Sequence, residues 1–175
     1  LGPTGVGKTE LSKTSVSTAT LALKVAEEEL GTLKDKKVLI IGATGKIGGI
    51  VLMNLESLHQ ADIYVTTRKN KLINTKHGND DFTTIDYEDR YNYLDQMDVV
   101  ISATSSPHYT LTYSKMKKQL VTAKRRVFVD LAVPMDIEAK ISAVDDTCYY
   151  NIDDFTRIAK ENNQKKLREA EAASG

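Results

Sequence analysis

An α/β fold is what this sequence predicts: a doubly wound parallel sheet in the order 3-2-1-4-5-6, with one helix before it and a long helix after it. Three observations lead there. Six short runs rich in β-branched residues recur along the 175 residues. Stretches with helical spacing separate several of them, so strand and helix alternate. The first run, "KKVLIIGA", is apolar without alternation, as in parallel strands covered on both faces. Right-handed crossovers and a count of six then select the strand order.

Each element follows from its residues. Residues 1–14 show no apolar periodicity and are expected to form an extended arm. From Ser15, "SVSTATLALKVAEEEL" brings Val16, Ala19, Leu23, Ala26 and Leu30 close to helical spacing. Ser15 or Ser17 can cap that helix, and Gly31 can end it. The first strand follows, then helical residues over about 46–58. "ADIYVTTR" is a second strand. "FTTIDYED" holds a third, with a polar helix expected to about Gln96. "MDVVISAT", "RRVFVDLAV" and "DTCYYNI" are strands four to six. The domain is expected to span 15–152. Residues 153–175 carry Phe155, Ile158, Ala159 and Leu167 but few other apolar side chains, and read as a long, mostly solvated helix.

Composition narrows the function classes. Lys plus Arg equals Asp plus Glu at 24 each, so no net field draws in nucleic acid or an anionic membrane. No apolar run approaches the roughly 20 residues that span a bilayer, and no signal peptide is read at the N-terminus. A single cysteine, Cys148, excludes an internal disulfide and a cysteine-based metal cluster. The expectation is a cytoplasmic protein that binds no metal.

Two glycine-rich runs compete for a nucleotide. "GPTGVGKT", Gly2 to Thr9, fits the phosphate-loop formula G-x-x-x-x-G-K-[ST]. Such a loop works between a buried strand and a helix, and only Leu1 precedes Gly2 here. A Walker B role for Asp130 rests on a pattern that any buried strand produces. The second run, Gly42 to Gly48 in "IGATGKIGG", follows a strand and opens a helix, and its G-x-x-G-x-x-G spacing is a variant of the dinucleotide fingerprint. Gly42 permits the turn, Gly45 lets the backbone approach a pyrophosphate, and Gly48 lets the helix pack closely. Gly42, Thr44, Gly45, Lys46 and Ile47 are therefore the expected pyrophosphate site.

The end of the second strand speaks to the cofactor. An Asp or Glu there would hold the ribose 2′-hydroxyl of NADH. The sequence instead has Thr66, Thr67, Arg68, Lys69 and Asn70. Arg68 can pair with a 2′-phosphate, Thr67 can add a hydroxyl, and Lys69 and Lys71 add positive charge. NADPH is the expected cofactor; a solvated basic turn is the plainer reading. Thr104 and Ser105 after strand four, and Val133 after strand five, are expected to line the ribose and nicotinamide. Asp130 reads as a residue that orients a loop ahead of a catalytic one. His59, His77 and His108 read as surface residues, and no catalytic residue is assigned.

Several stretches together resemble the glutamyl-tRNA reductase family. "SVSTATLAL" is similar to its S-V-S segment, "VFVDLAVPMDIEAKI" to its "DIAVPRDI" stretch, and "YYNIDDFTRIAKENNQKKLREAE" to the "YNIDDL" that opens its long spinal helix. "VGK" at Val6 to Lys8 matches a V-G-K before the S-V-S segment. The likeness covers about 15–173. It implies the NADPH-binding domain of an oxidoreductase of tetrapyrrole (porphyrin) biosynthesis, supplying hydride to a thioester held by another domain. It also implies that the nucleophilic cysteine and the glutamyl-tRNA pocket lie in an N-terminal domain outside these residues. Cys148 is then not the nucleophile, and the resemblance allows a homodimer of the full-length protein without fixing the oligomeric state. The chain departs from the family in having "GATGKIG" for "GAGxMG" and Met135 for an arginine. A stand-alone NADP-binding regulatory or scaffold module remains as the second reading, and a P-loop NTPase as a third. By itself the chain is expected to bind cofactor without turning over glutamyl-tRNA.

Overall fold

The computed structural model describes residues 2–68 and 81–174. Helix α1 (Gly2–Leu30) leads into β1 (Lys37–Ile41) and α2 (Lys46–Asn54), which ends in a π turn, Leu55–His59. Strands β2 (Asp62–Thr67) and β3 (Phe82–Asp86) precede a 3-10 helix, Tyr87–Tyr93. Then come β4 (Val99–Ser102), α3 (Tyr113–Gln119), β5 (Arg126–Asp130), a second 3-10 turn at Ala139–Ala143, β6 (Thr147–Tyr150) and α4 (Ile152–Ser174). The sheet is parallel throughout, in the order β3-β2-β1-β4-β5-β6. This is the order the sequence predicts.

Both faces of the sheet are buried. Val38 and Ile40 of β1 point to one side, with Val99, Ile101, Val127 and Val129, where Ala22, Leu23 and Ala26 of α1, Val51 and Leu52 of α2 and Phe155 of α4 cover them. Leu39, Ile41, Val100 and Phe128 point to the other, under Leu94, Met97, Met116 and Ile141. A strand sealed on both faces gains from burial at every position, which is why its sequence is continuously apolar.

Three expectations are corrected. The backbone of residues 2–14 is helical and continues α1, not an extended arm. Extending a formed helix is cheap once it is nucleated, and the one proline, Pro3, lies in the first turn, where its missing N–H costs nothing. The polar helix expected after strand three is a 3-10 helix that stops at Tyr93. A further helix, α3, lies between β4 and β5, where the sequence reading located none. Gly31, at φ +84°, ends α1 in the left-handed conformation that glycine adopts without strain.

The start of α4 gives physical content to "YNIDD". Asp154 N–H donates to Asn151 Oδ1 at 3.1 Å, and Asn151 N–H donates to Asp154 Oδ2 at 2.9 Å. That reciprocal capping box fixes where the helix begins. Phe155 then stacks on Tyr150, ring centroids 5.8 Å apart. From Ala159 through Ala173 every residue is exposed, Leu167 included.

Candidate functional site

Sheet order reverses between β1 and β4, and a cleft of about 620 Å³ opens at their carboxyl ends. Open α/β sheets bind their ligands at this switch point. Gly42, Thr44, Gly45, Lys46 and Ile47 line one part of it, Thr67 and Arg68 another, and Thr104, Ser105 and Val133 a third. The structure thus brings these sequence-selected positions into one cleft. Lys69 falls outside the described residues, as do Lys71 and His77. His108 is exposed and is not among the lining residues.

The glycine loop is shaped by three different constraints. Gly42 has φ +92°, and a Cβ there would stand 2.6 Å from the carbonyl oxygen of Ala103. Its backbone must bend left-handed while passing the strand-four loop, so only glycine fits. At Gly48 a Cβ would stand 2.0 Å from the carbonyl oxygen of Gly42, so α2 packs onto the loop itself. Gly45 is different. Its φ of −79° suits any residue, and a Cβ would meet nothing nearer than 3.4 Å. The protein's own packing does not require glycine there. Gly45 is the N-cap of α2, with no side-chain cap, and it is exposed on the cleft with Thr44 and Lys46. An uncapped helix start carries partial positive charge and suits a phosphate.

Beneath the loops after β4 and β5 lies a buried polar network. Asp136 is fully buried and accepts from Ser102 Oγ at 2.7 Å, Thr104 N–H at 2.8 Å and Thr104 Oγ1 at 2.7 Å. Asp130, also fully buried, accepts from Ala132 N–H at 3.0 Å and from the N–H groups of Asp136 and Ile137, both at 2.8 Å. Desolvation pushes the Asp130 carboxyl up to about 6, against the pull of those three backbone donors. Both oxygens face backbone amides, so Asp130 orients the loop, as its sequence position suggests. Asp136 was not singled out from sequence, although "DLAVPMD" sets a second acid six residues after the first. The hydroxyl of Thr104 is committed to Asp136, and that of Thr67 donates to the carbonyl of Ile85 at 3.4 Å.

Cys148 sits elsewhere, on the amino half of the sheet. Its thiol donates to Glu29 Oε2 at 3.2 Å, and burial with the nearby carboxylate pushes its pKa up. A thiol held protonated is a poor nucleophile. Glu29 also accepts from Tyr150 Oη at 2.7 Å and pairs with Arg125, tying α1 to β6 and to the residue just before β5. Among the described residues, no three His, Cys, Asp or Glu gather as a metal site. None of the helices there is long and apolar enough to cross a membrane.

The family model described as shikimate/quinate 5-dehydrogenase matches residues 24–158. A glutamyl-tRNA reductase of Clostridium novyi is 35% identical over 159 residues, which is 90% of this chain and 38% of that protein. Among solved structures, glutamyl-tRNA reductase from Methanopyrus kandleri superposes with a TM-score of 0.72 at 27% identity, over 90% of this chain and 40% of that one. The nucleotide-binding domain of the Thermoplasma volcanium glutamyl-tRNA reductase shares the fold, with a TM-score of 0.56 at 19% identity over 87% of this chain and 96% of that one. The chain thus spans about two fifths of the length of its full-length relatives. It belongs to the shikimate/quinate 5-dehydrogenase family, and within that family it corresponds to the NAD(P)-binding domain of the glutamyl-tRNA reductases.

Proposed function

We propose that this chain binds NADPH and, within a full-length glutamyl-tRNA reductase, presents it to a thioester held by another domain. The observation that carries the reading is the cleft itself. An uncapped helix start and a glycine with room to spare stand at one part of its wall, and Arg68 at another. Gly42, Thr44, Gly45, Lys46 and Ile47 would hold the pyrophosphate through backbone N–H groups and helix polarity. Arg68 would pair with the 2′-phosphate, joined by Thr67 and, beyond the described residues, Lys69. Thr104, Ser105 and Val133 would border the ribose and nicotinamide. Asp136 would hold Thr104 in place from below. The bound cofactor supplies the hydride, and the reduction belongs to tetrapyrrole synthesis in the cytoplasm. Glutamyl-tRNA and dimer contacts are assigned to other parts of the full-length protein, so this chain alone binds cofactor without turnover.

The test is a titration of the chain with NADPH, NADH and ATP. NADPH is expected to bind tightest, and Arg68→Glu to abolish that advantage. Equal or tighter binding of NADH would refute the cofactor assignment. Turnover of glutamyl-tRNA by this chain alone would refute the division of labour.

A further inference from the structure

Tyr87 opens the 3-10 helix after β3 and lines the cleft beside Arg68. Two guanidinium groups lie on its ring. The Arg68 Cζ is 4.0 Å from the ring centroid, and the Arg90 Cζ is 3.9 Å from it. One face of a tyrosine ring has room for a single guanidinium at that distance, so the two occupy opposite faces.

The two arginines are held differently. Arg90 is anchored: its Nε donates to the Thr110 carbonyl at 2.6 Å and its Nη1 to the Tyr87 carbonyl at 3.0 Å. It also lies 4.7 Å from the ring of Tyr91. Arg68 is an exposed side chain just past the last residue of β2, and among the described residues the Tyr87 ring supports it. Stacking engages the flat face of a guanidinium and leaves its edge N–H donors outward, in the plane where phosphate oxygens are bound. A long side chain parked this way has less rotamer freedom to lose on binding. The second cation behind the ring adds positive potential without competing for the ligand.

We infer that Tyr87 is a positioning residue that sets the preference for a 2′-phosphorylated dinucleotide, by holding the Arg68 guanidinium over a ring that Arg90 buttresses from the other face. This rests on Arg68 being the 2′-phosphate ligand. A purely structural Tyr87 would affect every nucleotide alike, so the ratio of two affinities separates the roles.

The experiment titrates NADPH and NADH into the chain and into Tyr87→Leu, Tyr87→Phe and Arg68→Gln, with a melting curve for each. Tyr87→Leu is expected to weaken NADPH roughly tenfold and leave NADH within about twofold. Tyr87→Phe, which keeps the ring, is expected to retain the parent ratio. An unchanged ratio in Tyr87→Leu, or an equal loss of both nucleotides, overturns the proposal. Should Tyr87→Leu melt early, Tyr87→Met removes the ring with another side chain and is judged by the same ratio. Arg68→Gln keeps the two questions apart. If it leaves the ratio unchanged, the assignment of Arg68 itself fails; if it collapses the ratio while the Tyr87 variants do not, only the role of Tyr87 fails.

Discussion

Alanine at each glycine of the loop tests the cleft against the fold. At Gly48 the added methyl carbon would stand 2.0 Å from the Gly42 carbonyl oxygen, at least 1 Å inside the closest approach real side chains show. That neighbour is backbone, so α2 and the loop must move apart. Overpacking of this kind costs about 1–3 kcal/mol, and the better helix propensity of alanine returns up to about 1 kcal/mol. A net loss in the middle of that range, about 1–2 kcal/mol, corresponds to roughly 2–8 °C in melting temperature for a chain this size. Gly42→Ala is expected to lose more, because it meets Ala103 at 2.6 Å and also forces a left-handed φ of +92° on alanine. Gly45→Ala is the informative member. With φ at −79° and 3.4 Å of clearance, its stability should fall by no more than about 1 kcal/mol, the difference between glycine and alanine at an N-cap. Its NADPH affinity should nonetheless fall about tenfold or more, because the methyl occupies the path of a phosphate against the backbone. Scanning calorimetry and a fluorescence titration on the same samples separate the two effects. An unchanged Kd in Gly45→Ala would show that the loop does not carry the pyrophosphate. An unchanged melting temperature in Gly48→Ala would show that the packing argument is wrong.

Further outcomes concern the supporting network and the charged groups. Asp136→Ala removes the acceptor from Thr104 N–H and leaves buried Ser102 without that partner; we expect a loss of about 2–4 kcal/mol in urea unfolding and weaker NADPH binding together. The Glu29 carboxyl is held down to about 2 by Arg125 and Tyr150, so its contribution is complete above its ordinary value of 4.5 and is lost as pH falls through about 2. Allowing for the exposure of Arg125, that contribution is about 1 kcal/mol, and the melting-temperature gap between the parent and Glu29→Gln should close below pH 3. Asp130 runs the opposite way: with its carboxyl pushed up to about 6 from 3.8, the folded state keeps a proton that the unfolded chain releases. Stability should therefore fall by up to about 3 kcal/mol as pH rises from 4 to 6, with that slope absent in Asp130→Asn.

Burial on both faces made the sheet readable. Val38 to Ile41, Val99 to Ile101 and Val127 to Val129 are fully buried, and each run is continuously apolar in sequence. Short elements left no such mark. In α3 only Met116 is buried, and seven residues make too few turns to show a period. The 3-10 helix at Tyr87–Tyr93 buries no residue at all. Candidate site residues were readable where a strand end meets a recognisable turn, as at Gly42 and Arg68. Tyr87 and Asp136 were not, because each works through a partner distant in sequence: Arg68 lies 19 residues before Tyr87, and Thr104 lies 32 before Asp136. A faint signal existed for Tyr87, an aromatic residue just past the end of β3, on the edge where β2 ends at Arg68.

The two glycine runs show what a motif formula leaves out. Gly2 to Thr9 satisfies every letter of a phosphate loop, yet its backbone lies within α1. Gly2 to Gly5 are the first turn of that helix, and from Val6 on the N–H groups point along the axis to carbonyls four residues back, so the run does not wrap an anion as a loop does. Gly42 to Gly48 deviates from its own formula, yet it has a buried strand behind it, a left-handed turn at Gly42 and a helix start at Gly45 with no side-chain cap. Anion binding comes from amides left unpaired and aimed by a strand–turn–helix junction. Placing "GPTGVGKT" in helical backbone removes that junction without changing a residue. A substitution such as Lys8→Ala should accordingly leave NADPH binding intact, and ATP should not compete. ATP binding that is lost on Lys8→Ala would mean the first run works as a phosphate loop after all, in a conformation other than α1.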